Sequence, residues 1–162
     1  MDPQIKKFHE VAYFVGALAH GAETQLGRSS QSICFLAGKK FGLEAVAASA
    51  TTSDPVAALA ILQEALEQRG IHWEFEPFQG GKEALVEEVD GKKKMRLVFR
   101  TCMVRNALFR FAHEQKLSLC QMAHGVFAGA LEKVLADSKV QLEILQAGPN
   151  ACLKEVIWEE KS

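Results

Sequence analysis

Leu85-Val86-Glu87-Glu88-Val89-Asp90-Gly91-Lys92-Lys93-Lys94-Met95-Arg96-Leu97-Val98-Phe99 is the stretch on which the fold turns. Asp-Gly supplies the positive-φ backbone of a tight two-residue turn. Beyond it, Met95, Leu97 and Phe99 fall on one side and Lys94 and Arg96 on the other, a strand with one face buried. The reading is a β-hairpin, Glu83 to Val89 and Lys92 to Thr101. Just before it, Ile71, Trp73 and Phe75 alternate with His72, Glu74 and Glu76, which predicts a further half-buried strand. Near the chain's end two more strands are expected, Val140 to Leu145 and Cys152 to Trp158. The turn between them is centred on Gly148-Pro149-Asn150. Neighbouring strands joined by short turns make an antiparallel sheet.

Helical periodicity occupies the rest. Val11, Phe14, Val15, Leu18, Ala22 and Leu26 recur on one helix face between about Lys6 and Leu26, and Gly27 follows. A second helix is expected from a Ser29 or Ser30 cap to about Phe41, stopped by Gly42. Asp54-Pro55 opens a third, because Asp accepts from free amides and Pro suits the first helical position. Val56, Leu59, Leu62 and Leu66 form its stripe, and Gly70 stops it. Two more helices are predicted, about Arg105 to Glu114 and Ser118 to Ala136, with Ser118 and Gln121 as a capping box. The fold class is α+β, an antiparallel sheet covered by helices, in a single domain over residues 1–162.

Composition narrows function. The 162 residues are 48% hydrophobic and 24% charged, with a net charge of −1, so no basic excess favours nucleic acid. The one basic run, Lys92 to Lys94, is balanced by Glu87, Glu88 and Asp90. No secretory signal and no membrane-spanning apolar run is visible, so the expected location is the cytoplasm, with Cys34, Cys102, Cys120 and Cys152 reduced.

The chemistry gathers in the C-terminal half. Cys120 falls in the first turn of its helix, where the dipole favours thiolate, and His124 lies one turn on. Cys102 ends a strand and Cys152 begins another. Were all four to meet, they would form a Cys₃His set suited to zinc or an iron–sulfur cluster. The ordinary alternative is that these cysteines are core. As a nucleophile–base pair, Cys120 and His124 lack an orienting third group and an oxyanion hole, which points away from an enzyme. Gly125 and Gly129 are costly inside a helix, so close approach of another backbone, a partner helix or a ligand is expected there. Phe109, Phe111 and Phe127 could line an apolar pocket, or be core. Arg96 is read as a surface ion-pair former.

The segment Cys120-Gln-Met-Ala-His-Gly125-Val-Phe-Ala-Gly129 resembles the Cys, four residues, Gly, three residues, Gly signature of the 4-vinyl reductase domain. Gly148 and Cys152 match its later Gly and Cys, and Leu36 to Gly42 is similar to its early Ala-Gly-Lys…Gly helix end. The resemblance implies the ligand-binding fold of TRAPP-type tethering subunits and haem-based nitric oxide sensors. It also implies a small-molecule or hydrocarbon-binding function, as in modules ahead of transcriptional activators that sense aromatic compounds. The zinc set of those sensors carries over to Cys120 and Cys152, but its other two positions fall at Ile144 and near Gln141, which are not proper ligands. A second likeness is to the C-terminal iron–sulfur sensors of some winged-helix repressors, in the order Cys102, Leu119-Cys120, His124, Cys152. The chain lacks their helix-turn-helix.

The expectation is a sensor or carrier domain for a small apolar molecule. Phe109, Gly125, Phe127 and Gly129 are its ligand-binding residues, and Cys102, Cys120, His124 and Cys152 its candidate metal ligands. Homodimerisation through the N-terminal helices follows from the TRAPP-like resemblance. The alternatives are a metal or iron–sulfur redox sensor and a dimeric interaction module without ligand.

Overall fold

The computed structural model describes residues 3–102, 104, 117–136 and 138–159. Three helices lead: α1 (Pro3–Leu26), α2 (Arg28–Ala45) and α3 (Pro55–Gln68). Strands β1 (Glu74–Pro77), β2 (Val86–Val89) and β3 (Lys92–Thr101) follow, then α4 (Ser118–Val134), β4 (Lys139–Ala147) and β5 (Cys152–Glu159). The helix expected at Arg105 to Glu114 lies outside the described residues.

The expected α+β architecture is present. The sheet is antiparallel in the order β1-β3-β5-β4, with β2 sharing β3's outer edge with β1. At the β2–β3 turn, Asp90 and Gly91 both take positive φ (54° and 73°), the geometry that a two-residue hairpin demands. Met95, Leu97 and Phe99 of β3 and Val156 and Trp158 of β5 are buried on one side, against α4 and α3. On the other side Glu155 pairs with Lys94 (3.7 Å) and Arg96 (3.6 Å); the ion pair expected of Arg96 is present, but the side chain is half-buried rather than on the open surface.

Asp54 caps α3 by accepting from the Val56 N–H (2.9 Å), with Pro55 at the first helical position. Two expected boundaries shift. Gly42 does not stop α2, which runs on to Ala45. The capping box at Ser118 does not form. Its N–H donates to Glu23 (2.8 Å) and its hydroxyl bonds Ser30 (2.9 Å), so Ser118 ties α4 to α1 and α2.

Gly42 and Gly38 have another task. A Cβ at Gly38 would overlap the Met122 carbonyl of α4, and one at Gly42 the Val126 carbonyl. From the other side, a Cβ at Gly125 would overlap the Phe35 carbonyl of α2, and one at Gly129 the Lys39 carbonyl. Four glycines thus let two helices cross backbone to backbone. Glu132, buried at the end of this seam, pairs with Lys39 (2.9 Å) and accepts from the Val140 N–H (3.2 Å), joining α2, α4 and β4.

A different candidate functional site

The structure separates the residues singled out in the sequence. Phe127 is fully buried, but Gly125 and Gly129 face α2, not open space. Of the occupants considered for that glycine face, it is the backbone of another helix that fills it. Phe109 lies outside the described residues. Among the described residues, no group of three or more His, Cys, Asp or Glu is placed to hold a metal ion, so Cys102, Cys120, His124 and Cys152 are not brought together as a ligand set. The reason is positional. Cys120 packs with Ala19 and Leu119 at the α1 junction. Cys152 is paired with Phe99 in the sheet and packs against the main core. Cys102 is half-buried just past the end of β3. His124 is buried, and its imidazole feels the charge of a buried cation.

That cation is Lys154, which the sequence reading passed over. Strand parity puts it on the same side of β5 as Val156 and Trp158, and it is only 4% exposed. It stands opposite Leu97 on β3 and Ile144 on β4, in the middle of the sheet. Its ammonium sits 4.4 Å from the centre of the Phe99 ring and 5.9 Å from that of Trp73, within cation–π range. The signal was in the alternation Cys152, Lys154, Val156, Trp158: three neighbours of one parity point inward, and so must the lysine.

Around it lies an aromatic cluster. The rings of Trp73, Phe75, Phe99 and Phe127 stand 5.2–6.1 Å apart, mostly edge to face or tilted. β1 contributes Phe75 and the segment just before it Trp73, β3 contributes Phe99, and α4 contributes Phe127. His124 lies three residues before Phe127, on the same flank of α4.

Among the described residues, two nitrogens here, Trp73 Nε1 and His124 Nε2, are buried without a hydrogen-bond partner. A buried polar atom left unpaired costs about 1–3 kcal/mol, so each calls for an explanation. Burial, and secondarily the Lys154 charge, pushes the His124 imidazole from 6.5 down to about 3. It is therefore neutral at physiological pH, able to donate or accept at Nε2 according to its tautomer.

The fold has known counterparts. The crystal structure of the phenol-responsive sensory domain of the transcription activator PoxR with phenol matches at TM-score 0.61 and 12% identity, over 90% of this chain and 73% of that one. A trafficking protein particle complex subunit 3 from Naegleria fowleri, covalently bound to palmitic acid, matches at TM-score 0.52 and 16% identity, over 94% and 97%. No family model and no curated protein matches the chain. The expected TRAPP-like fold is thus present, while the 4-vinyl reductase likeness rests on the residues quoted for it.

Away from the aromatic cluster, a groove of about 480 Å³ opens between the end of α2, the loop Ala47 to Ala50 and α3. Its lining mixes alanines with Glu44, Glu64, Gln68 and Arg69, and no buried unpartnered polar atom faces it. Among the described residues, no helix is long and apolar enough to cross a membrane.

Proposed function

We propose that this chain is a small-molecule-binding domain of the sensory kind, and that its ligand is recognised at the aromatic cluster of Trp73, Phe75, Phe99 and Phe127. The observation that carries this reading is the pair of buried, unpartnered side-chain nitrogens on Trp73 and His124. A core built for stability alone pairs or omits such groups; a binding site keeps a few polar atoms among apolar walls to orient its ligand. The fold shared with a phenol-responsive domain supports the same reading.

The test is calorimetric titration of the chain with toluene, benzamide and benzoate. Saturable binding of at least one, lost in F127A and accompanied by a raised melting temperature, is the expected outcome. Failure of all three to bind overturns the proposal.

A specific surface feature supports pairing of two copies. Phe14 and Leu18 of α1 and Ile33 and Leu36 of α2 are 55–68% exposed. On α2, Ile33, Leu36 and Leu43 lie opposite the glycine face, so the helix is apolar on both sides while α4 covers one. Exposed apolar side chains that share neighbouring helix faces mark a surface for association. A second copy seated on these faces is the occupant that this reading assigns. Sedimentation should give a dimer that L36E converts to a monomer; a monomeric wild-type chain at tens of micromolar would refute it.

A further inference from the structure

We propose that His72 is the pin of an acid-closed clasp: doubly protonated, it bonds Glu67 at the end of α3 and Glu74 at the start of β1 together, and on losing a proton it lets one of them go. The inference stands apart from the ligand reading, but what the clasp steadies is the segment that bears Trp73 and Phe75.

Geometry supplies the argument. His72 Nδ1 lies 3.0 Å from a Glu67 oxygen, and Nε2 lies 3.2 Å from a Glu74 oxygen. An ionised carboxylate only accepts, so each ring nitrogen must donate. A neutral imidazole has one N–H, and its other nitrogen would turn a lone pair toward an anion. Both bonds therefore stand together only in the imidazolium. Glu74 stays ionised while the ring titrates. The Thr101 hydroxyl donates to its other oxygen (2.7 Å), and this bond first, then His72 and the Arg100 charge, holds it below the usual carboxylate range. Among the described residues, the ring thus faces Glu67 from α3 and Glu74 from β1, while β3 brings Arg100, itself bonded to Glu76 (2.9 and 2.6 Å). The two carboxylates, Glu67 ahead of Glu74, raise the imidazole above its ordinary 6.5.

The clasp bridges a join in the backbone pairing. α3 ends on Gly70 (φ 75°), where the Gly70 N–H donates to the Glu67 carbonyl (2.8 Å) and the Ile71 N–H to the Leu66 carbonyl (2.9 Å). These bonds fix the turn as far as Ile71. The ladder with β3 then begins irregularly: Glu74 stands opposite Thr101 and Phe75 opposite Phe99, so the register slips by one residue. Between turn and ladder, His72 ties α3 to β1, and Glu74 ties both to the end of β3 through Thr101. Trp73 and Phe75 are buried from this same stretch. The ring and both carboxylates are exposed, so the pH of the solvent reaches them directly. Because the imidazole gains its partners on folding, its contribution is complete below about 6.5 and is lost as pH rises through the higher folded value. The clasp is closed in acid and opens as the ring loses its proton.

NMR titration of the His72 ring and amide hydrogen exchange across residues 71–75 test the clasp together. The ring should titrate higher in the folded chain than in the urea-unfolded one. E67Q and E74Q should each lower that value, and so should about 1 M salt, because exposed charges are screened. After correction for the intrinsic pH dependence of exchange, protection of residues 71–75 should fall roughly two- to fivefold from the closed to the open side of the titration, the range of exposed ion pairs. H72Q keeps a donor but cannot change its charge, and should show no such step. A ring that titrates alike in the wild type, E67Q and E74Q overturns the clasp. So does exchange whose pH dependence is the same in the wild type and in H72Q.

Discussion

One flank of α4 presents Gly125 and Gly129 to the backbone of α2; another presents His124 and Phe127 to the aromatic side of the sheet. On the first, side chains have been removed so that main chains touch, and Lys39 and Glu132 close the seam with an ion pair. On the second, bulky rings pack around nitrogens that lack partners. Both flanks are buried, and both carried candidate ligand-binding residues in the sequence. The difference teaches that rarity of residue type does not distinguish a structural seam from a recognition site. On the function proposed here, unmet hydrogen-bonding capacity does.

The sharpest way to break the comparison is to fill the seam. G125A with G129A sets two methyl groups against carbonyls that cannot yield without moving α2, and should lower unfolding free energy by about 3 kcal/mol or more in urea titration. Gly21 is the control: nothing lies within 4 Å of a Cβ placed there, so G21A should be neutral or stabilise by up to about 1 kcal/mol. Equal losses at both places would mean that helix propensity, not close approach, governs these glycines.

Next in size is the ion pair. K39M leaves the buried Glu132 carboxylate with the Val140 amide still donating to it, and should cost about 2 kcal/mol, moderated by the partial exposure of Lys39. K39M combined with E132M should recover much of that loss.

The aromatic flank answers to pH instead. His124 titrates lower in the folded chain, near 3, than its ordinary 6.5. Below about 6.5 the unfolded chain binds the proton that the folded chain refuses. The stability that His124 contributes is therefore complete above about 6.5 and is lost as pH falls toward about 3. Between about pH 6.5 and pH 5 the loss is on the order of 1 to 2 kcal/mol. Glu67 and then Glu74 raise His72, which has the opposite sign, but H124L retains His72. The wild-type minus H124L difference should therefore isolate the buried imidazole; a difference that is flat with pH would place His124 in contact with water. Smallest is S118A, which removes the hydroxyl bond to Ser30 where α4 meets α2. It should cost about 1 kcal/mol in thermal denaturation.

Much of the architecture was legible because it is written in local periods. The alternation around Trp73 and Phe75, the Asp90-Gly91 turn and the Asp54-Pro55 cap each depend on residues a few positions apart, and each is found in the structure. The site was less legible because its parts come from distant segments. Cys120 and His124 drew attention by chemical type, yet a helix one turn apart gave them different neighbours, α1 for one and the buried lysine for the other. Phe127 was found among the apolar candidates. Trp73 and Lys154 were not, although strand parity already placed both inside. Gly42 misled because a glycine that ends a helix and one that thins it look alike in sequence.

The glycine seam also sets a timetable for synthesis. Residues 35–42 close against residues 122–130, so α2 leaves the ribosome well before the surface it must touch has been made. At about 5–20 residues per second that interval is on the order of ten seconds. Throughout it the nascent helix carries an uncovered groove of bare main chain on one side and leucine and isoleucine on the other, and maturation of the N-terminal third waits on the arrival of the C-terminal one.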